Sequence, residues 1–217
     1  MKTLSTFILL TLALVAFGQE EKEQQSDYNP QTILGTKDKS VRGYLSFNEK
    51  GVILNDQVGL LTGGEISLVF GHRLNIGFFG YGKTNRVQSD YIDTDGFRHF
   101  YEMGMGGMKL ERVFFTNSAV HFTVPLSFGV GAMTLNRYAL TDYEFYNNHI
   151  NWENSLYDFD TFVFIEPGLN VELNLLKHLR LDAGVGYMFT DEVHLAGTNN
   201  WPLNNFTGNI SLKLGWF

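Results

Sequence analysis

His121, Thr123 and Ser127 occupy alternate positions of one extended stretch, so all three side chains leave the same face. With Asp182 approaching from another segment they would supply the parts of an acyl-transfer site: a hydroxyl nucleophile, an imidazole base and a carboxylate to orient it. Against that reading, no Gly-x-Ser-x-Gly elbow is present. The six histidines, at 72, 99, 121, 149, 178 and 194, show no paired metal-ligand spacing and read as solvated or interfacial residues. The chain has no cysteine, which removes thiol chemistry, disulfides and a lipid-modified cysteine together. Gly104-Met105-Gly106-Gly107 would suit a phosphate cradle only if a helix followed, and none is patterned there; its expected role is to let strands coil and crowd. No catalytic residue, metal or cofactor is assigned.

Two other constellations are better supported. Glu65, Lys109, Glu111, Glu166, Glu172, Arg180 and Asp182 each interrupt an apolar alternation on the polar parity, and are expected to form a network of ion pairs on one hidden wall. A proton or cation path through them is the alternative. The segment 136–160 carries Tyr143, Tyr146, Trp152 and Tyr157 among acids and asparagines; such aromatics stack on sugar rings while the polar groups bind hydroxyls. The competing reading is that they only pack on neighbouring loops.

The elements that must hold these residues have a period of two. Val120, Phe122, Val124, Leu126, Phe128, Val130 and Ala132 alternate with His121, Thr123, Pro125, Ser127, Gly129 and Gly131. Eight such stretches are expected: 43–54, 58–70, 74–87, 100–115, 120–135, 161–175, 179–190 and 205–217. Three of the gaps between them are tight turns (71–73, 116–119, 176–178) and three are long (88–99, 136–160, 191–204). A further gap, 55–57, is tight. Short and long gaps alternate as in an outer-membrane barrel, with its periplasmic turns and surface loops.

The fold expected is therefore all-β, an eight-stranded antiparallel up-and-down transmembrane β-barrel over residues 41–217. An ionised group facing lipid near the midplane costs on the order of 2 to 4 kcal/mol, so charges on the polar parity are expected to point inward. An eight-stranded ring is only wide enough for its own side chains, so the lumen should be filled. A soluble sandwich also alternates; glycines opposite the apolar positions and aromatics near strand ends weigh against it.

The run Leu4 to Phe17 after Lys2 is too short to span, and Ala16-Phe17-Gly18 suits a signal peptidase, so 1–18 is expected to be a cleaved signal peptide and 19–40 a polar periplasmic lead-in. Removing Lys2 takes the net charge from −7 to −8, which disfavours nucleic acid as a partner. The expected partners are outer-membrane lipid, the barrel insertion machinery, and a surface glycan or protein ligand. Trp216-Phe217 resembles the aromatic-ended last strand that insertion machinery recognises, although Trp216, not Phe217, shares the parity of Ile210, Leu212 and Leu214.

Gly80-Tyr81-Gly82, Met103-Gly104-Met105-Gly106-Gly107 and the stretch Ile165 to Asn174 resemble a family of small outer-membrane β-barrel proteins of Gram-negative bacteria. The architecture is also similar to the OmpA, OmpX and OmpW class. That resemblance implies a fold and an address, with no agreed reaction and no catalytic residues. The function expected is non-enzymatic, structural or surface-interacting, with a narrow channel for small solutes and a lipid-modifying barrel enzyme as alternatives.

Overall fold

The computed structural model describes residues 41–137, 156–196 and 201–217. The expected signal (1–18) and lead-in (19–40), and Tyr143, Tyr146 and Trp152, lie outside the described residues.

Among the described residues eleven strands run in chain order: β1 (Val41–Leu54), β2 (Gln57–Phe70), β3 (Leu74–Lys83), β4 (Gln88–Ile92), β5 (Arg98–Phe114), β6 (Val120–Asn136), β7 (Leu156–Leu176), β8 (Leu179–Thr190), β9 (Glu192–Val193), β10 (Trp201–Pro202) and β11 (Asn205–Gly215). Eight of them form a closed antiparallel ring, β1-β2-β3-β5-β6-β7-β8-β11, sealed by the pairing of β11 with β1 and of β3 with β5. β4 hangs on β5 beyond the ring, and β9 pairs with β10. A ring leaves no sheet edge, and in hydrocarbon an unpaired edge would strand backbone donors and acceptors.

Register fixes the width. Val41 lies opposite Phe70, and the row continues through Leu74, Arg112 and Val124. Beyond β6 it runs through Leu169, Val185 and Gly208 to Gly51, ten residues along β1 from its start. A stagger of that size tilts the strands by about 40° and makes a narrow barrel.

The turns have simple local causes. Asn55 and Asp56 link β1 to β2 with φ of 48° and 58°, the left-handed pair of a two-residue hairpin turn that Asn and Asp tolerate. Gly71 and His72 repeat this between β2 and β3, with φ of 53° and 58°.

The two faces sort as a membrane demands. Leu45, Phe47, Ile66, Leu68, Phe78, Val130, Val163, Leu169, Val185 and Leu214 are exposed on the outside, whereas Lys50, Glu65, Glu111, Glu166, Glu172, Asp182 and Lys213 are buried inside. A soluble sandwich buries the first set and exposes the second. The closed ring and this inversion exclude it: the chain is an eight-stranded β-barrel of the outer-membrane type, wrapped in apolar side chains.

Three expectations need correction. β3 stops at Lys83, four residues early, because the Asn85 side chain replaces main chain against β2, accepting from the Leu60 N–H (2.7 Å) and donating to the Val58 carbonyl (2.7 Å). β7 starts at Leu156, not 161, because Leu135 and Asn136 still offer backbone partners to Asp158 and Leu156; the carboxylates of Asp158 and Asp160 accept from the backbone N–H groups of Ala196 and His194. The rule that charge avoids the lipid face also has exceptions. Glu49 and Arg112 share the outward parity of Phe47 and Phe114 and are partly exposed.

Gly107 and Gly129 face each other across β5 and β6. A Cβ at Gly129 would lie 2.1 Å from the Gly106 carbonyl oxygen and 2.7 Å from the Gly107 Cα. Gly129→Ala is expected to lower the urea-unfolding free energy of the refolded barrel by about 1 to 3 kcal/mol, the usual cost of overpacking. Gly208→Ala serves as the control, since nothing lies within 4 Å of a Cβ there.

Candidate functional site

The interior is built in layers. Nearest the short turns, Lys213 on β11 donates to Glu172 Oε2 (2.7 Å) and Glu111 Oε1 (3.1 Å), and its ammonium stands 3.5 Å from Asp182 Oδ2. Arg180 donates to Glu172 Oε1 (2.8 Å). Asn75 and Thr123 donate to the two oxygens of Glu111 (2.7 and 3.1 Å), and Asn170 donates to Asp182 (2.8 Å). Above this hub Glu65 accepts from Tyr44 (2.8 Å), Ser67 and Lys109. Higher again, Glu166 accepts from Lys50 (2.7 Å) and Thr207 (2.7 Å). Each carboxylate thus has a cation; Glu65, Glu111, Glu166 and Asp182 have a neutral donor as well, and Glu172 has two cations, Lys213 and Arg180, the condition under which buried charge is tolerated. A cavity of about 30 Å³ separates the Lys109 and Asp182 level from the Lys50 and Glu166 level.

The outer half of the interior is mainly apolar, with the buried ion pair of Lys83 and Glu102 (3.1 Å) beside it. Val52, Leu54, Leu61, Phe79, Tyr101, Met103, Met105, Met133, Leu135, Phe162, Phe164 and Met188 form one buried cluster. They come from every strand of the ring except β11, and Leu203, just before β11, completes the layer. The Phe162 ring lies over Gly131, where a Cβ would come within 2.2 Å of its Cζ. The polar parity read from the sequence predicts an inner wall lined by charge. The correction is that the inward parity changes from charged to apolar partway up.

All seven charges read from the sequence stand on this interior wall; six of them, Glu65, Lys109, Glu111, Glu172, Arg180 and Asp182, form one network with Lys213, and Glu166 pairs separately with Lys50. Lys213 and Lys50 are the principal residues that the sequence reading passed over. Lys213 sits on the inward parity between Leu212 and Leu214, a readable signal; Lys50 follows Asn48 and Glu49, where three polar residues in a row hide the period.

At the mouth beside the short turns, Trp216 points outward, 68% exposed. Phe217 turns in, its ring 3.8 Å below the Arg180 guanidinium and 5.6 Å from Tyr44.

The residues that could have made an acyl-transfer site are not assembled. His121 Nε2 donates to the Ser118 carbonyl (2.6 Å), and its Nδ1 lies 3.4 Å from Glu172. Thr123 gives its proton to Glu111, and Asp182 is held by Asn170 and Lys213.

Beyond the outer end, β4, β5 and β7 build a rim. Tyr157 is half exposed; its hydroxyl is hydrogen-bonded to that of Tyr91, and its ring packs edge-on to His99 at 4.7 Å. His99, expected in a loop in contact with water, lies on β5, fully buried, in a three-ring cluster with Tyr91 and Tyr157. Asp93 accepts from Arg137 (2.6 Å) and from the Phe97 N–H (2.9 Å). Burial pushes the Asp93 carboxyl up, but the Phe97 N–H and the Arg137 guanidinium outweigh it and hold the group below the ordinary aspartate value. A depressed folded-state value means stabilisation that is present above the unfolded pKa and lost as pH falls through the folded one. The β4–β5 hairpin is therefore expected to keep its amide-exchange protection from neutral pH down to about pH 4, the unfolded aspartate value, and to lose it below. Arg137→Ala should move that loss to higher pH.

No protein-family model matches the sequence, and a search of curated proteins finds no match. Among solved structures the chain is similar to the N-terminal β-barrel domain of Pseudomonas aeruginosa OprF (TM-score 0.48, 8% identity, 81% of this chain and 97% of that one). It is also similar to Neisserial surface protein A (0.45, 12%, 81% and 94%) and to the attachment invasion locus protein Ail of Yersinia pestis, solved with the heparin analogue sucrose octasulfate (0.45, 10%, 81% and 97%).

Proposed function

We propose that this chain is a non-enzymatic outer-membrane barrel that works as a closed, rigid scaffold and acts through its outer rim. The observation that carries this reading is the double filling of the lumen. Conduction needs a continuous polar path, and across it stand a paired charge layer and, above that, an apolar layer in which an ion would have no partner. Catalysis needs a nucleophile and base within reach of substrate; Ser127, Thr123 and His121 all face the sealed interior, and Thr123 and His121 Nε2 are engaged with Glu111 and the Ser118 carbonyl.

The rim is the remaining surface with specific chemistry. Tyr91 and Tyr157 present aromatic faces beside Asp93, Asp95, Asp158 and Asp160, which suits a sugar or a cationic protein surface better than a polyanion. We assign residues 1–18 to a cleaved signal and 19–40 to a periplasmic lead-in on the sequence pattern.

The test is planar-bilayer recording with the purified folded chain. No sustained single-channel steps are expected from the wild type. Steady steps that vanish when Glu166 and Glu172 are neutralised would overturn the closed-scaffold reading in favour of the narrow channel.

A further inference from the structure

Glu49 is a carboxylate on the wrong side of the wall. It points outward between Phe47, 57% exposed, and Gly51. Among the described residues its hydrogen-bond donor is Thr62, whose hydroxyl reaches Oε1 at 2.8 Å and Oε2 at 3.0 Å. One hydroxyl carries one proton, so the carboxylate retains acceptor capacity in a setting where water is scarce.

Beside it runs a groove of about 570 Å³ on the outer surface of β2, β1, β11, β8 and β7, lined by Leu60, Ile210, Val185, Ala183 and Val171. The groove exists because Gly51 and Gly208 face each other there without side chains. Its walls are apolar and its one ionisable outward side chain is Glu49. An ionisable group in such a place marks a functional site by default.

Depth decides what could fill it. Ile210 is the β11 partner of Glu49, and Phe206, 71% exposed and packed on Tyr187 in the outer aromatic band, stands four residues farther out. At about 2.5 Å of axial rise per residue of a tilted strand, the carboxylate lies roughly 7 to 10 Å below that band. A headgroup does not reach so deep. A group on the acyl chain does.

We propose that this groove binds one acyl chain of an outer-leaflet lipid, and that Glu49 selects chains bearing a hydroxyl donor several carbons below their head end. The inference rests on the outer surface facing lipid, and it goes beyond the scaffold role. A plain chain would fill the groove and leave the carboxylate without a second donor; a hydroxylated chain supplies one.

The experiment is native mass spectrometry of the folded chain in detergent, titrated with phosphatidylglycerol carrying 7-hydroxytetradecanoyl chains or plain tetradecanoyl chains. The wild type should retain the hydroxylated lipid about tenfold more strongly, the worth of one hydrogen bond to a charged acceptor. Glu49→Leu should bind both lipids equally, and Gly208→Leu, which fills the groove from a position with open space around it, should retain neither. Heat-dependent electrophoretic migration verifies that each variant is folded, and Glu49→Met replaces Glu49→Leu if the latter is not. Equal retention of the two lipids by the wild type, or unchanged discrimination in a folded Glu49 variant, overturns the proposal. So does a dimer that Gly208→Leu dissociates, since the face would then be a contact between two copies.

Discussion

Lys213→Ala is expected to destabilise the barrel by about 3 to 5 kcal/mol, the cost of removing one partner from a buried charge network. The side chain is 1% exposed and stands among Glu111, Glu172 and Asp182 at 2.7 to 3.5 Å. Without it those three carboxylates share Arg180 and Lys109, and Arg180 is turned toward Glu172. Unfolding in urea from lipid vesicles, followed by the electrophoretic shift between folded and unfolded forms, measures the change. Neutralising a carboxylate in the same background distinguishes electrostatics from lost packing. The double variant Lys213→Met, Glu111→Gln should recover part of the loss, because the two residues share one network and their effects cannot add. A cost under about 1 kcal/mol for the single variant would mean that water reaches the hub and screens it.

Phe162→Ala is expected to cost a similar amount, about 3 to 5 kcal/mol, for the cavity left by a buried aromatic ring. Phe162 is 2% exposed and packs on Phe164, with ring centroids 6.3 Å apart. Its cross-strand partner Gly131 leaves the space that the ring fills, so the facing position on β6 has no side chain to close the gap. This variant should also admit water to the outer half of the lumen, which Lys213→Ala should not, because the two residues belong to different layers. A loss of stability without any rise in water access would place the seal elsewhere in the cluster.

The ring and its faces were legible because lipid outside and side chains inside impose the same two-residue period on every strand. Turn lengths revealed which strand ends share a side, and parity placed Glu65, Lys109, Glu111, Glu166, Glu172, Arg180 and Asp182 on one wall. What escaped notice lies where that period carries less information. Around Phe162 and Phe164 both parities are apolar, so the change from charged to greasy filling leaves no break in the pattern. At Asn48-Glu49-Lys50 both parities are polar, which hid an inward lysine and an outward glutamate standing side by side. Above the membrane neither face is constrained by lipid, so the early end of β3, the long start of β7 and the burial of His99 depend on contacts that no local pattern encodes.

The chain has no native cysteine, so single cysteines can carry a nitroxide label without a background substitution. Labels at Val163 and Leu169 on the outside of β7, and at Phe162 and Asn170 on the inside, should be compared in vesicles for collisions with oxygen, which partitions into lipid, and with a water-soluble nickel chelate. The outer pair is expected to meet oxygen and not nickel, and the inner pair to meet neither, as a lipid-clad ring with a filled interior requires. Nickel access at Phe162 or Asn170 would contradict the sealed lumen, and nickel access at Val163 and Leu169 would contradict the membrane-facing wall itself.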